Sequence, residues 1–152
     1  MKIKTLVENT SISEEFVSEH GLCLYLETKK HKILFDLGAS ALFVANAQKL
    51  MVNLSEIDLV IISHGHYDHG GGLKAFLQVN SKAKIYLHQN AFDKYYASKA
   101  GGSKAYVGLD EELLPNDRFV LVGDHLIIDD ELELVSNIKC TRPTSSRNQN
   151  LL

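Results

Sequence analysis

The run Asp58-Leu59-Val60-Ile61-Ile62-Ser63-His64-Gly65-His66-Tyr67-Asp68-His69-Gly70-Gly71-Gly72 decides how this chain folds. Leu59 to Ile62 is a continuous apolar, β-branched-rich stretch, the pattern of a central strand buried on both faces. It runs directly into three imidazoles and a carboxylate within six residues. Unbound, such groups bring no packing benefit and compete with regular structure, so the pattern needs a cation to account for it. Imidazole nitrogen and carboxylate oxygen suit a divalent metal, zinc first, with manganese or iron as alternatives. On an extended loop His64 and His66 point to one side and can grip one ion, while Asp68 and His69 can address a second. Gly65 allows close backbone approach. Gly70 to Gly72 are expected to bring a helix start, with free amides, toward a bound anion.

Outward from this run the apolar pattern alternates strands and helices. A first strand is expected near Ile3 to Val7. Leu22 to Glu27 and Lys32 to Asp36, separated by the polar Thr28 to His31, form an antiparallel hairpin. Ser40 is a candidate N-cap for a helix whose apolar stripe is Leu42/Phe43, Asn46/Ala47 and Leu50/Met51. Leu73, Phe76 and Leu77 mark a short helix stopped near Asn80, and Lys84 to His88 reads as a strand. Ala91 to Ala97 reads as helical and Gly101-Gly102-Ser103 as a flexible loop. Phe119 to Val122, His125 to Ile128 and Leu132 to Val135 suggest three short strands. The expected division is a domain over residues 1–135 followed by a polar, flexible segment over 136–152.

The 152 residues suit one domain, and 45% hydrophobic content with only two prolines excludes collagenous and disordered classes. A net charge of -3 without a basic run argues against nucleic acid as a partner. No apolar stretch approaches the about 20 residues of a membrane span, so the expectation is a cytoplasmic protein without a membrane partner. Cys23 and Cys140 form no CxxC pair; both read as free thiols, with Cys23 a packing residue.

Several polar residues admit two readings. Asp36, at a strand end, either caps the helix region near Ser40 or accepts a proton from a ligand histidine and sets its tautomer. Tyr67 either borders a substrate pocket or packs sideways. His88, also at a strand's carboxyl end, is a surface residue or a site residue. His20, His31 and His125 lie in turn-like contexts and read as solvated.

The motif His64-x-His66-x-Asp68-His69, with Phe35-Asp36-Leu37-Gly38 before it and the buried strand between, resembles the metallo-β-lactamase-fold hydrolase superfamily. Glu8-Asn9-Thr10, Gly21 to Leu26 and Ser63 to Gly72 are similar to the branch of dihydropterin ribofuranosyl-aminobenzene phosphate synthases and related metal-dependent hydrolases. The resemblance implies an α/β fold, an αββα sandwich, with up to two ions. His64 and His66 would hold the first ion and Asp68 and His69 the second, with Asp36 behind the ligands. Ions there lower the pKa of a water so that it attacks an ester, phosphoester or related bond, with Asp68 orienting it and carrying protons. The implied substrate is a small molecule, phosphorylated or pterin-like in the synthase branch.

The chain departs from the family pattern downstream. The family takes further ligands from later segments, and nothing after Val135 supplies them. Four protein ligands shared by two ions leave two each, where catalytic zinc normally has three. The sandwich is therefore expected to be incomplete, the first half plus the start of the second, with an apolar sheet face uncovered and association into a homo-oligomer favoured. Two functions follow from this: a metal-dependent hydrolase or synthase, or a truncated, non-catalytic metal- or ligand-binding remnant of one.

Overall fold

Four polar residues after Glu27 are enough to reverse the chain, and Thr28 N–H donates to His31 O at 2.9 Å to close the turn. The hairpin of β2 (Cys23–Glu27) and β3 (Lys32–Phe35) results. In the computed structural model, which describes residues 1–99 and 101–138, β1 (Lys2–Val7) pairs antiparallel with β2. Each later strand of this sheet is reached by a crossover and so adds in parallel. After α1 (Leu42–Lys49) comes β4 (Leu59–Ile62); after α2 (Tyr67–Gly70) and α3 (Leu73–Val79) comes β5 (Lys84–His88). A last strand, β8 (Phe119–Val122), joins the far edge, giving the order β1-β2-β3-β4-β5-β8. Between β5 and β8 lies a small hairpin of β6 (Tyr96–Ser98) and β7 (Lys104–Tyr106). β9 (His125–Ile127) pairs with β10 (Glu133–Val135). The mixed α/β architecture and mixed sheet are as expected, and the three C-terminal strands are present.

The parallel registers align Leu34, Val60 and Ile85 across the sheet, all fully buried. They belong to one core with Phe43 and Ala47 of α1 and Leu73 and Phe76 of α3. Burial of each large apolar side chain contributes about 1.5–3 kcal/mol. Cys23 packs here as anticipated, whereas Cys140 lies outside the described residues.

The neighbouring row, Phe35, Ile61 and Tyr86, faces the other way, and Ile61 is only half-buried. β4 is thus fully covered on one face, not on both. The β9–β10 hairpin stands beside this row and leaves a cavity of about 350 Å³ lined by Phe35, Ile61, Tyr86 and Leu134. Among the described residues no second large sheet covers it. No described helix is long and apolar enough to cross a membrane.

Three local expectations are corrected. Residues 91–97 do not form a helix: Tyr96 and Tyr106 meet across the β6–β7 ladder with ring centroids 5.6 Å apart, and this cross-strand pairing outweighs a short, uncapped helical pattern. Gly101 and Gly102, both at positive φ, form the turn of that hairpin. Helix α1 stops at Lys49, so Met51 leaves the apolar stripe, at φ 52° and 89% exposed. Ser40 lies one residue before the N-cap position yet still accepts the Leu42 N–H at 3.1 Å.

His31 is not simply solvated. It pairs with Asp129, while Thr28 donates to Glu131 and Lys30 pairs with Asp130, tying the β9–β10 connection to the β2–β3 turn. The Glu131 N–H, then the His31 ring, hold the Asp129 carboxyl below its ordinary pKa. A depressed carboxylate stabilises above its unfolded pKa, about 3.9, and that contribution disappears as pH falls through the lower folded value. Amide exchange in β9 and β10 is therefore expected to accelerate below about pH 4 relative to β4. Equal protection of the two regions down to pH 2 would contradict the latch.

Candidate metal centre

Asp36 follows β3 at φ 58°, a left-handed conformation that aspartate tolerates better than most residues, and is completely buried. Its N–H donates to Ile61 O at 2.8 Å, continuing the β3–β4 pairing by one step and setting its side chain beside the end of β4. The carboxylate accepts from Ser63 N–H at 2.7 Å, Ser63 Oγ at 2.8 Å and His69 Nδ1 at 2.7 Å. Of the two readings of Asp36 the histidine partner is the observed one. Capping near Ser40 is done by Ser40 itself and by Glu19, which accepts from the Ala39 and Ser40 amides.

These bonds fix where protons sit. Ser63 spends its one hydroxyl proton on Asp36, so its oxygen accepts from His64 Nδ1 at 2.9 Å, leaving His64 Nε2 a bare lone pair. His64 Nε2 lies 3.1 Å from His66 Nδ1. Burial, then the neighbouring His69 and His66, pushes His64 below the ordinary imidazole pKa, and burial does the same for His66. Both shifts favour the neutral ring, the form that offers a lone pair to a cation. In the second pair His69 gives its Nδ1 proton to Asp36, and its Nε2 is 3.5 Å from Asp68 Oδ2. Burial opposes the charge on His69, but the hydrogen bond and charge of Asp36, with Asp68 beyond, raise its pKa overall.

The backbone around the motif is packed tightly. A Cβ on Gly65 would stand 2.0 Å from Ala91 O, so only glycine lets the motif lie against the chain after β5. His66 bridges to Gly108, Tyr67 N–H donates to Val107 O, and the His66 ring meets Tyr95 edge-on at 5.4 Å. Gly70 to Gly72 do not offer free amides to an anion. Their N–H groups donate to His66 O, Tyr67 O and Gly38 O, and the glycines serve close packing instead.

Tyr67 is exposed, and His125 pairs with Glu133 at the surface. His88 is a part-exposed residue lining, with His64, Asn90, Tyr95 and Asn137, a cavity of about 490 Å³ beside the motif. Two contributors escaped the sequence reading. Ser63 carried no signal beyond its place between strand and motif. His20, read as solvated, has Nε2 3.2 Å from Asp68 Oδ2.

Among the described residues no three His, Cys, Asp or Glu side chains are drawn together as a closed metal-binding group. The donor chemistry nevertheless fits ions in pairs. Two ligand atoms each about 2.0–2.2 Å from a tetrahedral zinc stand about 3.3–3.5 Å apart, close to the His64–His66 and Asp68–His69 separations. Each pair also includes a nitrogen whose other ring proton is already committed, the arrangement that orients ligand histidines.

The family model described as Metallo-beta-lactamase superfamily matches residues 19–146. An uncharacterized protein of Methanocaldococcus jannaschii is 34% identical over 113 residues, 73% of this chain and 41% of its own length. The 7,8-dihydropterin-6-methyl-4-(beta-D-ribofuranosyl)-aminobenzene-5'-phosphate synthase of the same organism is 35% identical over 106 residues, 65% of this chain and 36% of its own. Among solved structures, a metal-dependent hydrolase of the beta-lactamase superfamily superposes with TM-score 0.69 at 33% identity, covering 88% of this chain and 46% of that one. The chain spans less than half the length of each of these relatives.

Proposed function

Because the chain belongs to the metallo-beta-lactamase superfamily, we propose that it is a metal-dependent hydrolase, or a synthase of related chemistry, acting on an ester, phosphoester or similar bond of a small molecule. One observation carries this reading: the buried Asp36 carboxylate holds both Ser63 and His69, and so sets the rings of His64 and His69 side by side just beyond the end of β4, with centroids 4.2 Å apart. His64 and His66 hold one ion, and Asp68 and His69 a second. Divalent ions bound there, zinc or else manganese or iron, supply Lewis acidity that makes a water nucleophilic near neutral pH and stabilises an oxyanion. Asp68 orients the attacking water and takes up a proton at its carboxylate. The cavity beside His64 receives the substrate, with Asn90, Asn137 and His88 presenting polar groups. The likeness to the archaeal synthase makes a phosphorylated, pterin-like compound the first substrate class to test.

A specific observation also favours a non-catalytic remnant: these four residues give each ion only two protein donors, fewer than catalytic zinc normally keeps. Metal titration and turnover separate the readings. The metal-free chain is expected to take up about two zinc or manganese ions, and His66→Ala and Asp68→Ala each to lose about one. The loaded protein is expected to cleave a simple phosphodiester or thioester until chelator is added. Uptake of less than one ion by the wild type overturns the metal-dependent reading. Full uptake with no turnover of either substrate selects the remnant.

A further inference from the structure

We propose that the cavity between β1, α1 and residues 12–17 is a second small-molecule site, which takes an uncharged, mainly apolar compound carrying one O–H or N–H donor. The inference is independent of the proposed metal-dependent function. It follows from Asn46, a polar residue in the otherwise apolar stripe of α1, which is only 2% exposed and borders this cavity of about 430 Å³.

Thr5 pairs with Leu24 and Val7 with Cys23, so Leu6 is the extra residue of a bulge in β1. Its carbonyl turns to α1 and accepts from Asn46 Nδ2 at 2.7 Å. The same nitrogen donates to Val17 O at 3.0 Å, so both amide hydrogens are committed. Two carbonyls on Nδ2 also fix which end of the amide is nitrogen, since a flip would set oxygen against oxygen. Oδ1 is then left buried and without a hydrogen-bond partner among the described residues. A buried acceptor in that state is unfavourable until a donor reaches it, and the cavity is the space from which one can be supplied.

The walls select the rest of the ligand. Leu6, Phe16, Val17 and Leu50 give an apolar lining, and the fully exposed Ile12 gains contact with whatever fills the space. The charged groups at the rim are satisfied within the chain: Lys4 Nζ donates to Leu50 O at 2.6 Å, and Glu8 accepts from the Thr10 N–H and hydroxyl at 3.0 and 2.9 Å. A charged ligand would therefore bury its charge unpaired, which an uncharged one avoids. The outer wall is tied along α1 at several points. Lys49 Nζ bonds Glu15 O and lies 5.8 Å from the Phe16 ring centroid, Asn46 holds Val17 O, and Glu19 accepts the Ala39 and Ser40 amides. An apolar cavity of about 150 Å³ is enough to hold benzene, so the larger space here admits a ring together with its polar substituent.

The test is NMR titration of the 152-residue chain with phenol and with fluorobenzene, the same ring without the O–H donor. Phenol is expected to shift the backbone amides of Leu6, Val7 and Val17 and the side-chain amide of Asn46 along one saturation curve. Fluorobenzene is expected to bind at the same place about fivefold more weakly, the factor one hydrogen bond contributes. Asn46→Leu should bring the two compounds to equal affinity. This variant also removes the donors to Leu6 O and Val17 O; should it not fold, the comparison of the two compounds on the wild type decides alone. A crystal of the phenol complex is expected to place the phenol oxygen about 2.7–2.8 Å from Asn46 Oδ1. Equal wild-type affinities for the two compounds, or shifts confined to residues outside this cavity, overturn the proposal. So does a water kept on Asn46 Oδ1 while phenol binds elsewhere, or an advantage of phenol that survives in Asn46→Leu.

Discussion

Asp36→Ala lowers the unfolding free energy by about 3–5 kcal/mol and weakens ion uptake by roughly 10- to 100-fold. Three donors, Ser63 N–H, Ser63 Oγ and His69 Nδ1, lose a completely buried carboxylate. Hydrogen bonds to a charged group contribute about 1.5–3 kcal/mol each, reduced here because water can reach the part-exposed His69 and Ser63. Alanine also bears the left-handed φ of 58° less well than aspartate, at about 1 kcal/mol. The loss in affinity follows because His64 is oriented through Ser63 and His69 directly, and partners behind metal ligands are worth that factor. Asp36→Asn separates the contributions. Asparagine tolerates the backbone and keeps one acceptor, but its amide opposes a donor, so both losses should be intermediate. Urea unfolding, with slope and midpoint read separately, and zinc calorimetry on the same samples measure the two effects. Wild-type stability in Asp36→Ala would remove the carboxylate from its central place.

Gly21→Ala should destabilise the fold by several kcal/mol and weaken the ion proposed at Asp68 and His69 more than the one proposed at His64 and His66. Its φ of 138° is one that side-chain-bearing residues rarely adopt, a strain of about 1–3 kcal/mol. The added Cβ would also meet Asp68 O at 2.1 Å and Gly38 Cα at 3.3 Å, backbone atoms that cannot rotate away. Either the 20–22 segment lifts or the Asp68–His69 turn moves, and the second displaces both residues proposed to hold that ion. Gly101→Ala is the control. Its φ of 88° is also positive, but a Cβ there meets nothing within 4 Å, so only the backbone strain remains and the candidate site is untouched. Thermal melts of both variants, with zinc stoichiometry, check this. Equal melting temperatures would show that the close approach at Gly21 is not decisive.

The parts of the fold that were legible are those whose signal is local. Leu59 to Ile62 is a strand because four consecutive apolar residues suit a central sheet position, and Lys32–Phe35 pairs with Cys23–Glu27 because only a short polar turn joins them. Phe43 and Phe76 are core because helical spacing places them with their apolar neighbours. Residues 91–97 were misread because Tyr95 and Tyr96 serve a helix or a strand equally well, and the choice falls to a partner strand about ten residues away. Gly70 to Gly72 were read as a helix start whose free amides face an anion; the helical turn that takes up two of those amides at His66 O and Tyr67 O, and the approach of Gly38 that takes up the third, are apparent only in the folded chain.

For the candidate site, spacing by itself kept His64, His66, Asp68 and His69 within about 18 Å of one another, and the helical turn of α2 then brings the His69 ring back to 4.2 Å from that of His64. Tertiary structure decided everything that depends on distant segments meeting. Parallel pairing of β3 with β4 brought Asp36 to Ser63 and His69, giving its carboxylate a histidine partner and not a helix to cap. Docking of the 20–22 segment on the Asp68 turn turned a histidine that looked solvated into a neighbour of the carboxylate. A proton's position on an imidazole is set by what touches its other nitrogen, and Asn9, Asp36 and Ser63 make those contacts only in the folded chain.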